Sequence, residues 1–232
     1  MSDIKTRLSS VHSRIEQAEQ RYHRAPGSVT LLAVSKTWPA EALQAALKTG
    51  QRYFGESYLQ EAVAKITTLA HVPGGETIEW HFIGAIQSNK TREIARHFQW
   101  VHSVERFKIA QRLNDQRPET LPRLNICLQV NISAEETKSG ISADALIELA
   151  HQVNRLPRLR LRGLMAIPAP NDNIEGQRQV FRQVKQLQQQ LIDEGIDLDT
   201  LSMGMSGDLE AAIAEGATLV RIGSAIFGPR HD

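Results

Sequence analysis

Apolar positions along this chain alternate between two spacings, and that alternation predicts its elements. Ile4, Leu8, Val11, Ile15 and Ala18 recur at helical spacing with charged residues between them, so an amphipathic helix leads over residues 1–25. Val29 to Ser35 then runs almost without polar interruption, the signature of a strand buried on both faces of a parallel sheet. From there the two patterns take turns. Glu41 to Thr49 reads as a helix and Gln51 to Gly55 as a short strand. Ser57 and Gln60 have capping-box spacing ahead of a helix over Leu59 to Leu69. Further strands are predicted at Glu79–Gly84, Trp100–Val104, Leu124–Ile132, Leu159–Met165, Thr200–Met205 and Thr218–Phe227. Helices fall between them at Lys90–Phe98, Phe107–Asp115, Ser142–Arg155, Gln177–Glu194 and Leu209–Glu215.

Eight strands with intervening helices fit a closed (β/α)8, TIM-like barrel with an extra N-terminal helix better than an open doubly wound sheet. The polar, turn-rich stretch Pro168–Asn173 lies inside one strand–helix connection, so residues 1–232 read as a single domain.

Composition narrows the classes. Lys plus Arg (27) nearly equals Asp plus Glu (26), which leaves no general electrostatic footprint for nucleic acid or an anionic membrane. No run approaches the length of a membrane helix, and the first residues lack a secretory apolar core. The single cysteine, Cys127, sits in the apolar run Ile126–Leu128 and is expected to be buried and inert. A cytoplasmic location is expected. The eight histidines show no metal-ligand spacing, so no metal site is expected.

In a barrel of this kind, chemistry gathers at the C-terminal ends of the strands. Lys36 ends the first strand, where lost hydration favours a neutral, nucleophilic amine. On position alone, a lysine that snorkels from a strand end is the commoner case. Gly204-Met205-Ser206-Gly207-Asp208 follows the seventh strand where a helix begins, and Arg221-Ile222-Gly223-Ser224 belongs to the eighth. Each alone is a turn or a cap; together, at neighbouring strand ends, they favour phosphate binding. Asp208 would oppose an anion and reads as a helix-start residue. His81 is a core histidine unless it points into the barrel mouth, and Arg158, Arg160 and Arg162 form a basic strand face at the opposite rim.

Several segments in order carry a resemblance: Ala33–Thr37, Phe54-Gly55-Glu56, His81–Gly84 with Gln87–Lys90, Lys138-Ser139-Gly140, Arg162–Met165, Gly204-Met205-Ser206 and Val220–Gly223. From about Val29 to Pro229 the chain resembles the pyridoxal phosphate homeostasis protein family. The resemblance implies a barrel like the alanine racemase N-terminal domain, with pyridoxal 5'-phosphate held as a Schiff base on Lys36. It further implies cofactor contacts from Ser57, His81, Met165, Ser206, Gly223 and Ser224, with Arg221 facing the pyridine nitrogen. Three positions depart from the family pattern: Ser57 stands where asparagine is usual, Gly207 where aspartate is common, and Ala85 where many relatives have proline.

An arginine at the ring nitrogen does not readily give up a proton, so the ring would be a weak electron sink. The expected function is therefore intracellular cofactor homeostasis without robust catalysis, in a monomer whose partners are pyridoxal phosphate and the apoenzymes that use it. Alanine racemase draws a tyrosine base from a second domain, and none is expected beyond the eighth strand here. Two other readings stand beside this one. One is a weak amino-acid racemase or lyase using Lys36, His81 or Tyr58 as base. The other is a Schiff-base aldolase acting on phosphorylated sugars.

Overall fold

A computed structural model describes residues 2–132 and 139–229. Strands β1 (Thr30–Val34), β2 (Tyr53–Glu56), β3 (Glu79–Phe82), β4 (Trp100–Val104), β5 (Leu124–Val130), β6 (Leu159–Ala166), β7 (Thr200–Ser202) and β8 (Leu219–Ile222) follow one another around a closed parallel barrel. Between them lie α2 (Ala40–Leu47), α3 (Leu59–Leu69), α4 (Thr91–His97), α5 (Phe107–Gln116), α6 (Ala143–Asn154), α7 (Ile174–Asp193) and α8 (Leu209–Ala214). The leading helix α1 (Ser2–Arg21) packs along α2 and α8 and against a last helical turn, α9 (Ser224–Phe227). The expected (β/α)8 barrel with an extra N-terminal helix is thus the observed fold.

The apolar spacing of α1 explains where it sits. Leu8, Val11, Ile15 and Ala18 are all buried, and Arg14 on the flank pairs with Glu210 of α8 at 2.9 Å. Arg14 Nη2 also donates to the Ser206 carbonyl at 3.1 Å, tying the loop after β7 to this helix. The helix stops short of residue 25 because His23 takes a left-handed φ of 54°, just ahead of Pro26 and Gly27.

Three local expectations are corrected. The eighth strand does not run to Phe227. It ends at Ile222, and the backbone turns at Gly223, whose carbonyl accepts the N–H groups of Ile226 and Phe227 at 2.9 Å each. Ile226 and Phe227 are buried in α9, and a short apolar run does not itself distinguish strand from helix. The seventh strand stops at Ser202 because Gly204 adopts φ +96°, out of reach of an extended chain. The capping box at Ser57 does not form, since the residue before α3 is Tyr58 and no side chain caps it.

Most apolar residues pack between the strands and the helices, around Phe54, Phe82, Phe98 and Phe181. The barrel's inside is different. Trp100, Cys127 and Met165 form a small separate apolar cluster there, and His81, His102, Ser202 and Arg221 are buried with them. Burial pushes the Cys127 thiol up to about 12, which makes the expected inert cysteine a physical statement.

The β6–β7 pair depends on a close approach at Gly163, where an added Cβ would stand 1.7 Å from the Thr200 carbonyl oxygen. Gly163→Ala is therefore expected to cost about 1–3 kcal/mol as the backbones part. A lower urea midpoint at unchanged slope would show it; an unchanged midpoint would mean the strands separate freely there.

Candidate functional site

Lys36 stands two residues past the end of β1, half-buried, in a cavity of about 460 Å3 at the C-terminal end of the barrel. Ser57, Phe82, Gly84, Gln87 and Lys90 line it too, contributed by the ends of β2 and β3 and the loops after them. Gly84 is required for this packing, because a Cβ there would meet the Ser57 carbonyl oxygen at 2.2 Å.

A buried ionic network brackets Lys36 in the chain. Lys65 Nζ donates to the Ser35 carbonyl at 2.8 Å, to Glu56 Oε1 at 2.8 Å and to Glu61 Oε1 at 2.5 Å. Ser35 Oγ donates to the same Glu56 oxygen at 2.7 Å, and the Thr37 N–H donates to Glu61 at 2.6 Å. Residues on both sides of Lys36 are thus anchored to one cluster. Thr37 is held at φ 69°, a left-handed conformation that a β-branched residue adopts only when its surroundings insist. Burial pushes the Glu56 carboxyl above its ordinary range even though Lys65 and Ser35 pull it down.

The remaining predicted residues divide between two places. Ser206 follows β7, while Gly223 and Ser224 follow β8, all at the C-terminal end of the barrel but outside the walls of the Lys36 cavity. Gly223 lies against β1, where an added Cβ would come 3.0 Å from the Val34 carbonyl oxygen, two residues before Lys36. Asp208 starts α8, as expected, and its carboxylate accepts the Met205 N–H at 2.5 Å.

His81, Met165 and Arg221 point inside the barrel. Arg221 is across from Leu32 of β1 and is fully enclosed. Its Nη1 donates to the Ser202 carbonyl at 2.5 Å and to Ser202 Oγ at 2.9 Å, and its Nη2 donates to the Ala166 carbonyl at 2.8 Å. Burial pushes the guanidinium down to about 10, partly offset by Asp208 and Cys127, so it is still a cation at neutral pH. Met165 packs in the small cluster with Trp100 and Cys127.

His81 does not reach the Lys36 cavity. It stacks on Trp100 at 5.3 Å between ring centres and lines a second cavity of about 470 Å3 at the opposite, N-terminal mouth. Arg162 borders that mouth as well, 4.7 Å over the Trp100 ring and paired with Asp199 at 2.7 Å. It is a fixed part of the rim where a merely solvated basic face was expected. Lys138, from the fourth resembling segment, lies outside the described residues.

Sequence reasoning did not single out Gln87 and Lys90 as site residues, although both stand just past the third strand, where a barrel places its chemistry. Among the described residues no three His, Cys, Asp or Glu side chains are grouped to hold a metal ion, and no helix is long and apolar enough to cross a membrane.

Comparison with known proteins places the chain. Residues 7–231 match the family model for the alanine racemase N-terminal domain. A pyridoxal phosphate homeostasis protein of Pseudomonas aeruginosa is 57% identical over 99% of this chain and 97% of its own length. One from Escherichia coli K12 is 54% identical over 99% and 98%. The chain belongs to the pyridoxal phosphate homeostasis protein family. Within this family's reach lies PipY of Synechococcus elongatus, solved with PLP bound. It superposes with TM-score 0.85 at 36% identity, over 97% of this chain and all of that one. An alanine racemase of Clostridium difficile shares the fold at TM-score 0.77 and 14% identity, and the chain spans 58% of its length.

Proposed function

We propose that this protein binds pyridoxal 5'-phosphate through Lys36 and serves the homeostasis of that cofactor rather than a reaction of its own. The observation that carries the reading is Lys36, a primary amine in a half-open cavity at the barrel's C-terminal end and clamped on both sides by the Glu56–Lys65–Glu61 network. The donor set fits the group: two lysines and a serine hydroxyl, over walls that include Phe82 and Leu59, suit a planar, anionic aldehyde. Bound there, the cofactor supplies an aldehyde that condenses reversibly with a primary amine. Ser206, Gly223 and Ser224, at the ends of β7 and β8, are assigned to its phosphate, with Ser57 as a polar wall of the cavity. Arg221 is assigned to the ring nitrogen, where a group that only donates hydrogen bonds disfavours carbanion chemistry. His81 and Met165 support this site from inside the barrel.

The experiment is borohydride reduction of the purified protein after loading, with peptide mapping and an assay of amino-acid turnover. Label on Lys36, without racemised or decarboxylated product, is expected. Product formed by the unaltered chain and lost with Lys36 would favour the weak racemase or lyase. We further read the protein as a cytoplasmic monomer that passes its cofactor to apoenzymes. A dimeric mass by light scattering, or no reactivation of a cofactor-free enzyme by the loaded protein, would contradict this.

A further inference from the structure

The polar residues inside the barrel form a line of hydrogen bonds whose two ends assign it a direction. From Arg221 Nη1 the line passes to Ser202 Oγ at 2.9 Å, and Ser202 Oγ lies 2.8 Å from His102 Nδ1. His102 Nε2 lies 2.9 Å from His81 Nδ1. His81 Nε2 then stands 3.3 Å from Glu79 Oε1, out of line for a hydrogen bond and without another such partner among the described residues. The ring of His81 is 1% exposed, so this nitrogen is a buried polar atom facing the N-terminal mouth. Strands β8, β7, β4 and β3 each contribute, and the line crosses the barrel from the cofactor-binding end to the opposite one.

Two proton arrangements match these distances. A guanidinium only donates and a carboxylate only accepts, so the ends are not interchangeable. In the first arrangement the Ser202 hydroxyl, which accepts from Arg221, donates to His102 Nδ1. His102 Nε2–H then donates to His81 Nδ1, and His81 Nε2–H faces Glu79. In the second, both rings are reversed, and the bare lone pair of His81 Nε2 meets a carboxylate oxygen at 3.3 Å. That contact is repulsive, because the ring nitrogen is buried even though Glu79 is partly exposed at the mouth.

Both imidazoles stay neutral for the same reason. Burial pushes His102 far below its ordinary range, and His81 and Arg221 push it in the same direction. Burial also lowers His81, with Glu79 pulling against it. The groups facing His81 are Glu79, Trp100, His102 and the edge of Tyr53, with Arg162 and Asp199 across the mouth. Those around Arg221 are Ser202, His102, Asp208 and Cys127.

We propose that Ser202, His102 and His81 are positioning residues: a one-way relay that fixes the guanidinium of Arg221 and terminates as an N–H on His81 beside Glu79. The proposal rests on the assignment of Lys36 and Arg221 to the cofactor site. Arg221 is thereby held by its inner edge. Whatever disturbs the line alters the field that Arg221 presents to the Lys36 end.

Long-range proton–nitrogen NMR of the cofactor-free protein reads the protonation of each ring nitrogen, and it needs no variant. Both His81 and His102 are expected to be neutral with the proton on Nε2 near neutral pH. Glu79→Gln removes the charge that decides between the two arrangements and should leave both rings mixtures of tautomers, whereas Ser202→Ala leaves Glu79 in place and should keep the single form. In the loaded protein, Ser202→Ala should shift the pH midpoint of the bound cofactor's visible band by about half a unit or more, with Ser202→Thr restoring it. A proton on Nδ1 of either ring, an imidazolium at neutral pH, a Glu79→Gln protein with its tautomers unchanged, or a Ser202→Ala protein with its midpoint unchanged would overturn the relay. An unaltered protein that takes up no pyridoxal phosphate would overturn the cofactor assignment instead, and the ring tautomers would report on the relay independently of it.

Discussion

Lys36→Ala is expected to abolish covalent uptake of pyridoxal phosphate, with the reduced adduct and the visible band falling to background. The expectation depends on what the neighbouring amines can do. Lys65 is close in the fold, but its ammonium is committed to three oxygens, those of Ser35, Glu56 and Glu61, and an ammonium has no lone pair for attack. Lys90 lines the same cavity from the far side of β3 and, among the described residues, is the competitor placed to substitute for Lys36. Mapped label on Lys90 in the Lys36→Ala protein would show that the cavity, more than the lysine, selects the cofactor. Lys36→Arg separates charge from nucleophilicity: it keeps a cation beside the cavity but has no amine to condense. It should lose the covalent adduct while retaining weak, reversible binding. If both variants keep a full adduct at another residue, Lys36 is not the cofactor lysine. If neither they nor the unaltered chain ever form one, the Schiff-base aldolase reading, tested by borohydride trapping of a phosphorylated sugar, comes forward.

The fold was legible because each strand of a parallel barrel is buried on both faces and announces itself as a short apolar run. β1, β4 and β5 stand within two residues of where those runs predict them. The errors fall where backbone geometry outweighs hydrophobicity. Gly204, at φ +96°, ends β7 early, and Gly223 converts the apolar tail of the predicted eighth strand into α9. The place of Lys36 was legible for a related reason, since a lysine just after an apolar strand has only the barrel's end to occupy; position alone favoured a snorkelling side chain, and the family resemblance supplied the cofactor role. The interior was not legible. His81, His102, Ser202 and Arg221 belong to four strands, and their partners lie 21, 100 and 19 positions apart. Only closure of the barrel brings them into one line. For the same reason His81, which lies within the third strand and which the family resemblance implies as a cofactor contact, lies instead on the side of the opposite mouth.

Lys65→Met is expected to be the most destabilising single change near the site, costing about 3–5 kcal/mol at neutral pH. Glu56 is completely buried and the Lys65 side chain is 6% exposed, so water cannot take the place of the lost ammonium. Glu56 Oε1 would keep only the Ser35 hydroxyl, and Glu56 Oε2 already lacks a partner among the described residues. The pH dependence follows from the direction of the Glu56 shift. Burial already raises its pKa above the ordinary 4.5, and losing Lys65, which pulls it down, raises it further. Between 4.5 and that raised value the folded chain binds a proton that the unfolded chain has released, so stability falls as pH rises through this window. The variant should accordingly be least stable above the window and recover towards acid, where Glu56 is neutral in both states. Adding Glu56→Gln removes the stranded charge and should restore much of the loss, a coupling that independent sites would not show. Urea midpoints across pH for the single and double variants measure both effects. A Lys65→Met protein with a flat pH profile, or one that Glu56→Gln does not rescue, would mean that the network around Lys36 is held by packing rather than by charge.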